Sequence, residues 1–313
     1  MSQFYNFSRG LVFFTFSVIF IDDPVNQIFT KMKIILLFTL LLCFFSRELF
    51  SQTDSTYKEG WNPSGVLSLN ISQVAFKDWS LGGENSYALT SINDFKGAYK
   101  QKKVLWKNNL KITLGQTKIG DNDLQSSDNE LFFESIFSYD IGWVVDPYGA
   151  ITFNTVLLNG YNYDSVPAVQ TSAFLDPGYL VESFGFTYER TKNFNTRLGI
   201  AFKETFTNTF TQYTDDPLTS GTVETFKFET GIESVTNVNW NFYENLSYSS
   251  KLSLFSAFDQ LNVWDVAWDN TMTGKINDFV NASLSFKLVY DVDQSLRTQL
   301  KESLQIGFTY TLF

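Results

Sequence analysis

Two aspartates, Asp265 and Asp269, stand four residues apart in the stretch NVWDVAWDNTMTGK. Paired carboxylates hydrolyse glycosides when they lie about 5–10 Å apart across the scissile bond. Along a strand, four residues span roughly 13 Å, too far for a retaining pair and long for an inverting one. The two read instead as interior charges matched by Lys or Arg. A second cluster, GDNDLQSSDNE, brings Asp121, Asp123, Asp128 and Glu130 together on an expected outer loop. Oxygen ligands of this kind suit Ca²⁺ or Mg²⁺, but the Gly and the spacing of an EF-hand loop are missing. A solvated polar loop explains the cluster; a weak cation site bridging lipopolysaccharide is the alternative.

What the chain lacks narrows the chemistry further. It contains no His and a single Cys, Cys43. A Ser-His or Cys-His mechanism therefore has no base, and zinc, iron and copper sites of ordinary composition have no ligands. No enzymatic activity, resident metal or cofactor is expected. The net charge of -10 also argues against nucleic acid, whose binding depends on cationic patches.

The remaining charges lie on one polar face of a repeating pattern. The candidate lumen-lining residues are Lys107, Lys111, Glu134, Asp140, Arg197, Lys203, Lys227, Glu229, Asp265, Asp269 and Lys287, joined on that face by Glu189, Glu233, Lys251 and Lys275. A ring of one sign would suggest an ion-selective pore. Mixed signs suggest cross-strand pairs that fill an interior.

The elements that carry these charges are strands. In VNASLSFKLVYD, Val280, Ala282, Leu284, Phe286, Leu288 and Tyr290 share one face, and Asn281, Ser283, Ser285 and Lys287 the other. This is period-2 alternation, one apolar and one polar face. Similar stretches near 65–76, 85–99, 103–119, 130–142, 149–163 and 179–190, and on to the final Ser303–Phe313, give about twelve strands. The connections alternate: long and polar near 77–84, 120–129, 164–178, 213–222, 257–262 and 291–299, short in between. An even strand number with long loops on one side and tight turns on the other is the layout of an outer-membrane barrel. A soluble β-sandwich alternates too, but Trp, Tyr and Phe on the apolar face and strands of ten or more residues suit a tilted membrane crossing. The expected fold is all-β: a transmembrane antiparallel up-and-down β-barrel.

The N-terminal region is expected to be removed. Residues 32–51, MKIILLFTLLLCFFSRELFS, have the charged start, short apolar core and small final residue of a signal peptide, with cleavage between Ser51 and Gln52. Residues 1–31, with a second apolar run from Leu11 to Ile21, read as an upstream extension preceding a true start at Met32; a tandem hydrophobic leader is the alternative. Cys43 sits inside the apolar core, not at the cleavage point, against a lipoprotein. Without residues 1–51 the chain holds 19 basic and 30 acidic residues, a net charge of -11. Residues 52–64 are expected as a short periplasmic segment and 65–313 as the barrel.

The ending SLQIGFTYTLF carries Gln305, Gly307, Tyr310 and Leu312 at the spacing polar-x-Gly-x-x-aromatic-x-apolar, with Phe313 one residue beyond. This matches the pattern read by the barrel-assembly machinery, which with outer-membrane lipids and lipopolysaccharide makes up the expected partners. The expected location is the outer membrane of a Gram-negative bacterium.

Near the start of the expected barrel, WNPSGVLSLNISQVAFKDWSLGGENSYAL (Trp61 to Leu89) contains Ser72-Gln73, Asp78-Trp79 and Gly82-Gly83-Glu84-Asn85-Ser86. It resembles the opening motif of domain of unknown function 3078, a Bacteroidota family of secreted chains of similar length taken to be outer-membrane barrels. Family members often carry Asn where this chain has Asp78. The resemblance implies location and shape, with no activity attached. Read physically, Gly82 and Gly83 permit a positive-φ turn between the first two strands, and Trp79 is either a membrane-interface anchor or a lid on the lumen; Asn85 completes the motif. The function expected is a channel or transporter for a small polar or amphipathic molecule. The alternative is a structural, adhesive or complex-forming barrel that transports nothing.

Overall fold

The computed structural model describes residues 57–77, 83–216, 219 and 221–312. The expected signal peptide and the segment before it fall outside the described residues, as do Asp78, Trp79, Gly82 and Phe313. Among the described residues fourteen strands run in order: β1 Gly60–Val74, β2 Ser86–Gln101, β3 Val104–Ile119, β4 Gln125–Tyr139, β5 Asp146–Thr155, β6 Gly160–Asn162, β7 Val169–Ser172, β8 Gly178–Tyr188, β9 Phe194–Phe206, β10 Phe226–Tyr243, β11 Leu246–Ala257, β12 Asp265–Lys275, β13 Val280–Asp291 and β14 Ser295–Thr311. Twelve of them close a single antiparallel barrel in the order β1-β14-β13-β12-β11-β10-β9-β8-β5-β4-β3-β2. The pair β6–β7 forms a small separate hairpin inside the connection from β5 to β8. Among the described residues no helix is long and apolar enough to cross a membrane; the crossings are strands.

Closure joins β1 to β14 in one unbroken register, from Val66 opposite Thr311 to Ile71 opposite Ile306. Because every neighbour is hydrogen-bonded, no edge strand is left to expose unpaired backbone groups, which is the condition for a sheet to stand in hydrocarbon. The alternation then assigns the faces. Leu69, Ile71, Phe184, Phe186, Leu198, Ile200, Leu284, Leu304 and Ile306 are 40% exposed or more and point outward. Such an apolar exterior over a charged interior inverts the soluble sandwich and makes this a membrane-spanning barrel. Aromatic rings gather outside near the short-turn end: Trp61 lies 5.2 Å from Tyr99 and 5.9 Å from Trp106, and Trp240 stacks on Phe242. Amphipathic rings settle at the boundary between lipid and water.

Several expected boundaries move. Strand β1 starts at Gly60, so residues 60–64 belong to the barrel wall and pair with β2 from Lys100 to Lys96, not to a separate periplasmic segment. Strand β4 begins at Gln125 and β14 at Ser295. The expected long loops at 120–129 and 291–299 therefore shrink to the short turns 120–124 and 292–294. Both stretches are rich in charge, as loops are; Asp128 and Asp291 nevertheless face the lumen from strands, which carry them as readily as a loop. At the other end β4 stops at Tyr139 and β5 at Thr155, before the expected 142 and 163.

Candidate functional site

The lumen of a twelve-stranded barrel is modest in width, and here charged side chains reach across it at several heights. Near the short-turn end, Lys107 on β3 pairs with Glu189 beyond β8 at 2.5 Å. At mid-height, Glu134 on β4 accepts from Arg197 on β9 at 3.0 Å and lies 3.5 Å from Lys251 on β11; Arg197 also meets Glu233 on β10 at 3.4 Å. Above this, Glu130 on β4 takes Lys111 at 3.4 Å and Lys287 on β13 at 3.2 Å, and Lys287 lies 3.7 Å from Asp269. Lys301 on β14 reaches Asp128 and donates to the backbone oxygen of Ser127 at 2.6 Å. At the long-loop end, Lys203 on β9 sits among Asp265 (2.7 Å), Glu229 (3.7 Å) and Asp291 (3.7 Å), while Lys227 pairs with Glu229 (3.2 Å) and Asp293 (2.6 Å).

Two aromatic rings inside the lumen support this array. The Lys251 ammonium lies 4.3 Å from the Phe132 ring centre and the Lys203 ammonium 5.3 Å from that of Phe255, each a cation–π contact. Desolvating a charge is costly unless it is paired, and the carboxylates of Glu130, Glu134, Asp265 and Asp269 are each met by a cation from another strand.

Ten of the expected lumen residues are brought together in this way: Lys107, Lys111, Glu134, Arg197, Lys203, Lys227, Glu229, Asp265, Asp269 and Lys287. Asp140 is not among them. Strand β4 ends one residue earlier, and Asp140 turns away to accept from the Gly142 backbone N–H at 2.8 Å and to face Arg190 at 3.6 Å. That backbone hydrogen bond holds its carboxyl below the usual range, against a smaller desolvation effect and with help from Arg190. Arg190 also bonds Asp146 at 2.9 Å and the Trp143 carbonyl, so the β4–β5 turn is clasped to the one after β8. Lys275 likewise sits at the rim, paired with Asp278 at 2.7 Å. Asp265 and Asp269 fall into separate ion pairs, as the spacing argued. Asp128 and Glu130 lie on β4 and face the lumen, whereas Asp121 and Asp123 stay in the turn; the expected loop cluster is thus divided.

Asp291, Asp293, Lys301, Phe132 and Phe255 also reach the lumen array, outside the set that the sequence pattern selects. Extending the alternation of β14 back from Ser303 puts Lys301 on the polar face, so that one was within reach. The aromatic pair carries no such signal, because a Phe on the lumen face only breaks the polar pattern.

Cavities remain beside and between the charged pairs. A cavity of about 420 Å³ near the short-turn mouth is lined by Thr273, Lys275, Asn281, Thr309 and Thr311. A second, of about 390 Å³, lies above it, walled on one side by Thr271, Ser285, Ser303 and Gln305 of β12–β14 and on the other by residues of β2–β5, with Lys111, Glu130, Asp269 and Lys287 of the charged array among its lining. Between the two stands Gly307, opposite Asn70 on β1 and Asn281 on β13. A Cβ at this position would collide with the side-chain oxygens of both asparagines. The glycine of the assembly pattern therefore leaves room for the two asparagine side chains on the lumen face. Gln305 shares its lumen face, whereas Ile306, Phe308 and Tyr310 point to lipid.

The motif after β1 has a structural role where it is described. Gly83 has φ +133, and a Cβ there would strike the Phe76 ring. Asn85 accepts from the Phe76 backbone N–H at 2.6 Å through Oδ1, and its carbonyl accepts from Gly120 at 2.7 Å. The motif thus pins the β1–β2 connection against the next turn.

That stretch also carries the family likeness. Residues 71–161 match the model of a family described as a protein of unknown function, DUF3078. The match runs from the end of β1 to the start of β6 and contains the Ser72-to-Ser86 motif, in accord with the resemblance read from it. No curated protein matches the chain. Among solved structures, it is similar to the translocator domain of autotransporter NalP from Neisseria meningitidis, at 8% identity and TM-score 0.37, covering 90% of this chain and 97% of that one. An outer-membrane channel from Pseudomonas putida F1 aligns at 8% identity and TM-score 0.38 over 83% and 97%. The NanC porin aligns at 9% and 0.36 over 79% and 98%. The chain's assignment as an outer-membrane-type barrel rests on its own closed register, apolar exterior and aromatic girdle.

Proposed function

We propose that this protein is an outer-membrane channel for small polar molecules, exported through a signal peptide and inserted by the barrel-assembly machinery of a Gram-negative cell. One observation carries the reading: the lumen holds two cavities, one near the short-turn mouth and one above it walled by paired charges, hydroxyls and amides. Hydroxyl and amide groups along such a path exchange hydrogen bonds with a passing polar solute at little desolvation cost. Outside the barrel, the aromatic girdle and apolar belt would contact lipid and lipopolysaccharide. No catalytic role is assigned to the lumen carboxylates, because each is held by a lysine or arginine and no His is available to partner them.

A second reading has its own support. The cross-lumen pairs of Glu134 with Lys251 and of Glu130 with Lys287 are what a structural barrel needs to close its interior. Single-channel recording in a planar bilayer separates the two. Discrete, reproducible conductance steps are expected. A folded barrel that passes no current at any voltage would overturn the channel reading and leave the non-transporting one.

A further inference from the structure

We infer that the upper end of the β1–β14 seam is a lateral opening, through which a small amphipathic molecule passes between the lumen and the surrounding membrane. The inference rests on the channel reading and gives that channel a second, sideways exit.

The wall is continuous except at this point. Strand β14 pairs with β13 from Ser295 to Phe308, but with β1 only from Ile306 to Thr311. Toward the long-loop end, Ser295–Gln305 therefore has β13 on one side and no described strand on the other. Strand β1 likewise leaves β14 after Ile71, and its last residues, Ser72, Gln73 and Val74, pair with β2 alone. Continued in register, Gln73 would stand opposite Leu304 and Val74 opposite Ser303, yet neither pair forms. Both margins are open: residues 71–74 of β1 and 296–302 of β14 are all exposed.

Unpaired backbone beside lipid persists only where it borders water or protein. The N–H and C=O groups on the free side of β14 therefore call for a wet gap, and the lumen supplies the water. The upper cavity lies behind it. Lys301, Ser303 and Gln305 of the unpaired stretch line that cavity together with Thr90 and Ile92 of β2, and among the described residues β1 contributes nothing to the lining.

The two faces of the gap differ in character. Inward lie the Lys301 ammonium, the Ser303 hydroxyl and the Gln305 amide. Outward lie Leu300 and Leu304, 63% and 71% exposed, with Ile71 on β1 and Leu89 on β2 across from them. Glu302 sits between the two leucines on the outward face and is exposed. A carboxylate is costly in hydrocarbon, so Glu302 sets this height at the upper border of the apolar belt, where head groups begin. An opening that is polar inside and apolar outside fits a solute with both characters. Its polar group stays on the lumen side chains while its alkyl or aryl part meets lipid. A purely polar solute gains nothing by leaving here.

The test bridges the seam. Beyond residue 51 the chain has no cysteine, so Gln73→Cys with Leu304→Cys introduces one pair of thiols on the outward face. The full chain is produced in Gram-negative cells, and the probe is N-phenyl-1-naphthylamine, an arylamine that fluoresces on reaching lipid. Cells with the barrel should take up the dye faster than cells without it. Oxidation of the double variant should abolish the gain and reduction restore it, while the unaltered barrel ignores both treatments. If the disulfide does not form, a short bis-maleimide bridges the same thiols; if the variant fails to assemble, Ser72→Cys with Gln305→Cys replaces it in the dye measurement. No gain over cells lacking the barrel, or dye entry untouched by the bridge, would overturn the proposal. Single-channel current without seam-dependent dye entry would leave the channel reading standing and sink the lateral opening. Seam-dependent dye entry by a barrel that passes no current would do the reverse.

Discussion

The Lys251 ammonium lies 3.5 Å from the Glu134 carboxylate, although β11 and β4 are five strand steps apart one way around the wall and seven the other. Glu130, two pleat repeats away on β4, makes the same crossing to Lys287 on β13. A single strand therefore sends two carboxylates to two places on the far wall and braces the barrel across its interior.

Glu134→Gln keeps the side-chain shape and removes the charge. Arg197 would retain Glu233, while Lys251 would keep only its contact with the Phe132 ring. The expected loss is about 2–3 kcal/mol, below the ~3–5 kcal/mol of a fully buried pair, because Lys251 still reaches lumen water. Urea unfolding in lipid vesicles reads this as a lower midpoint; an unchanged midpoint would mean that the crossing contributes nothing to stability.

Lys203 holds apart three carboxylates, those of Asp265, Glu229 and Asp291. Lys203→Met should leave them in mutual repulsion and destabilise the long-loop end. Adding Asp265→Asn should recover part of the loss. A double-mutant cycle is expected to give a coupling of about 1–3 kcal/mol; strict additivity would show that the two residues act independently.

Gly307 separates assembly from packing. Gly307→Ala places a methyl group against Asn70 and Asn281 and should cost about 1–3 kcal/mol as an overpacked contact. Asn70→Ala in the same chain makes room for it. If packing is the reason for the glycine, the double variant regains the yield of folded barrel in cells. If the insertion machinery alone requires it, the second change rescues nothing.

Asp140 gives a pH dependence outside the membrane-spanning segments. The Gly142 N–H and Arg190 hold its pKa below the value in the unfolded chain. A depressed carboxyl contributes stability above its unfolded pKa and loses it as pH falls through the folded one. Protection of the 140–145 turn against proteolysis should therefore decline on acidification below the ordinary Asp range. Asp140→Asn should show weaker protection at neutral pH and a flatter acid limb. A variant with the same acid limb as the unaltered protein would place the transition elsewhere.

The strands were readable because their cause is local. In VNASLSFKLVYD every second residue is apolar, and a pleated chain in contact with lipid on one side and a polar interior on the other can carry that pattern in only one register. The same logic placed Lys107, Arg197, Lys203 and Asp265 on the inner face. It failed at 125–130 and 295–302, where charge on a long strand resembles charge in a loop, and at Asp140, where the strand stops one residue too soon for the parity to hold.

Composition and alternation by themselves determined the all-β class, a count of about twelve barrel strands, the sidedness of the regularly alternating strands, and the exclusion of His-dependent chemistry. These follow from residue types and from a period of two, both carried by neighbouring positions. Which charge meets which was decided only by the tertiary structure. Glu134 and Lys251 are 117 residues apart in the chain, and their meeting depends on the curvature, stagger and closure of twelve strands. The same closure set Gly307 between Asn70 and Asn281.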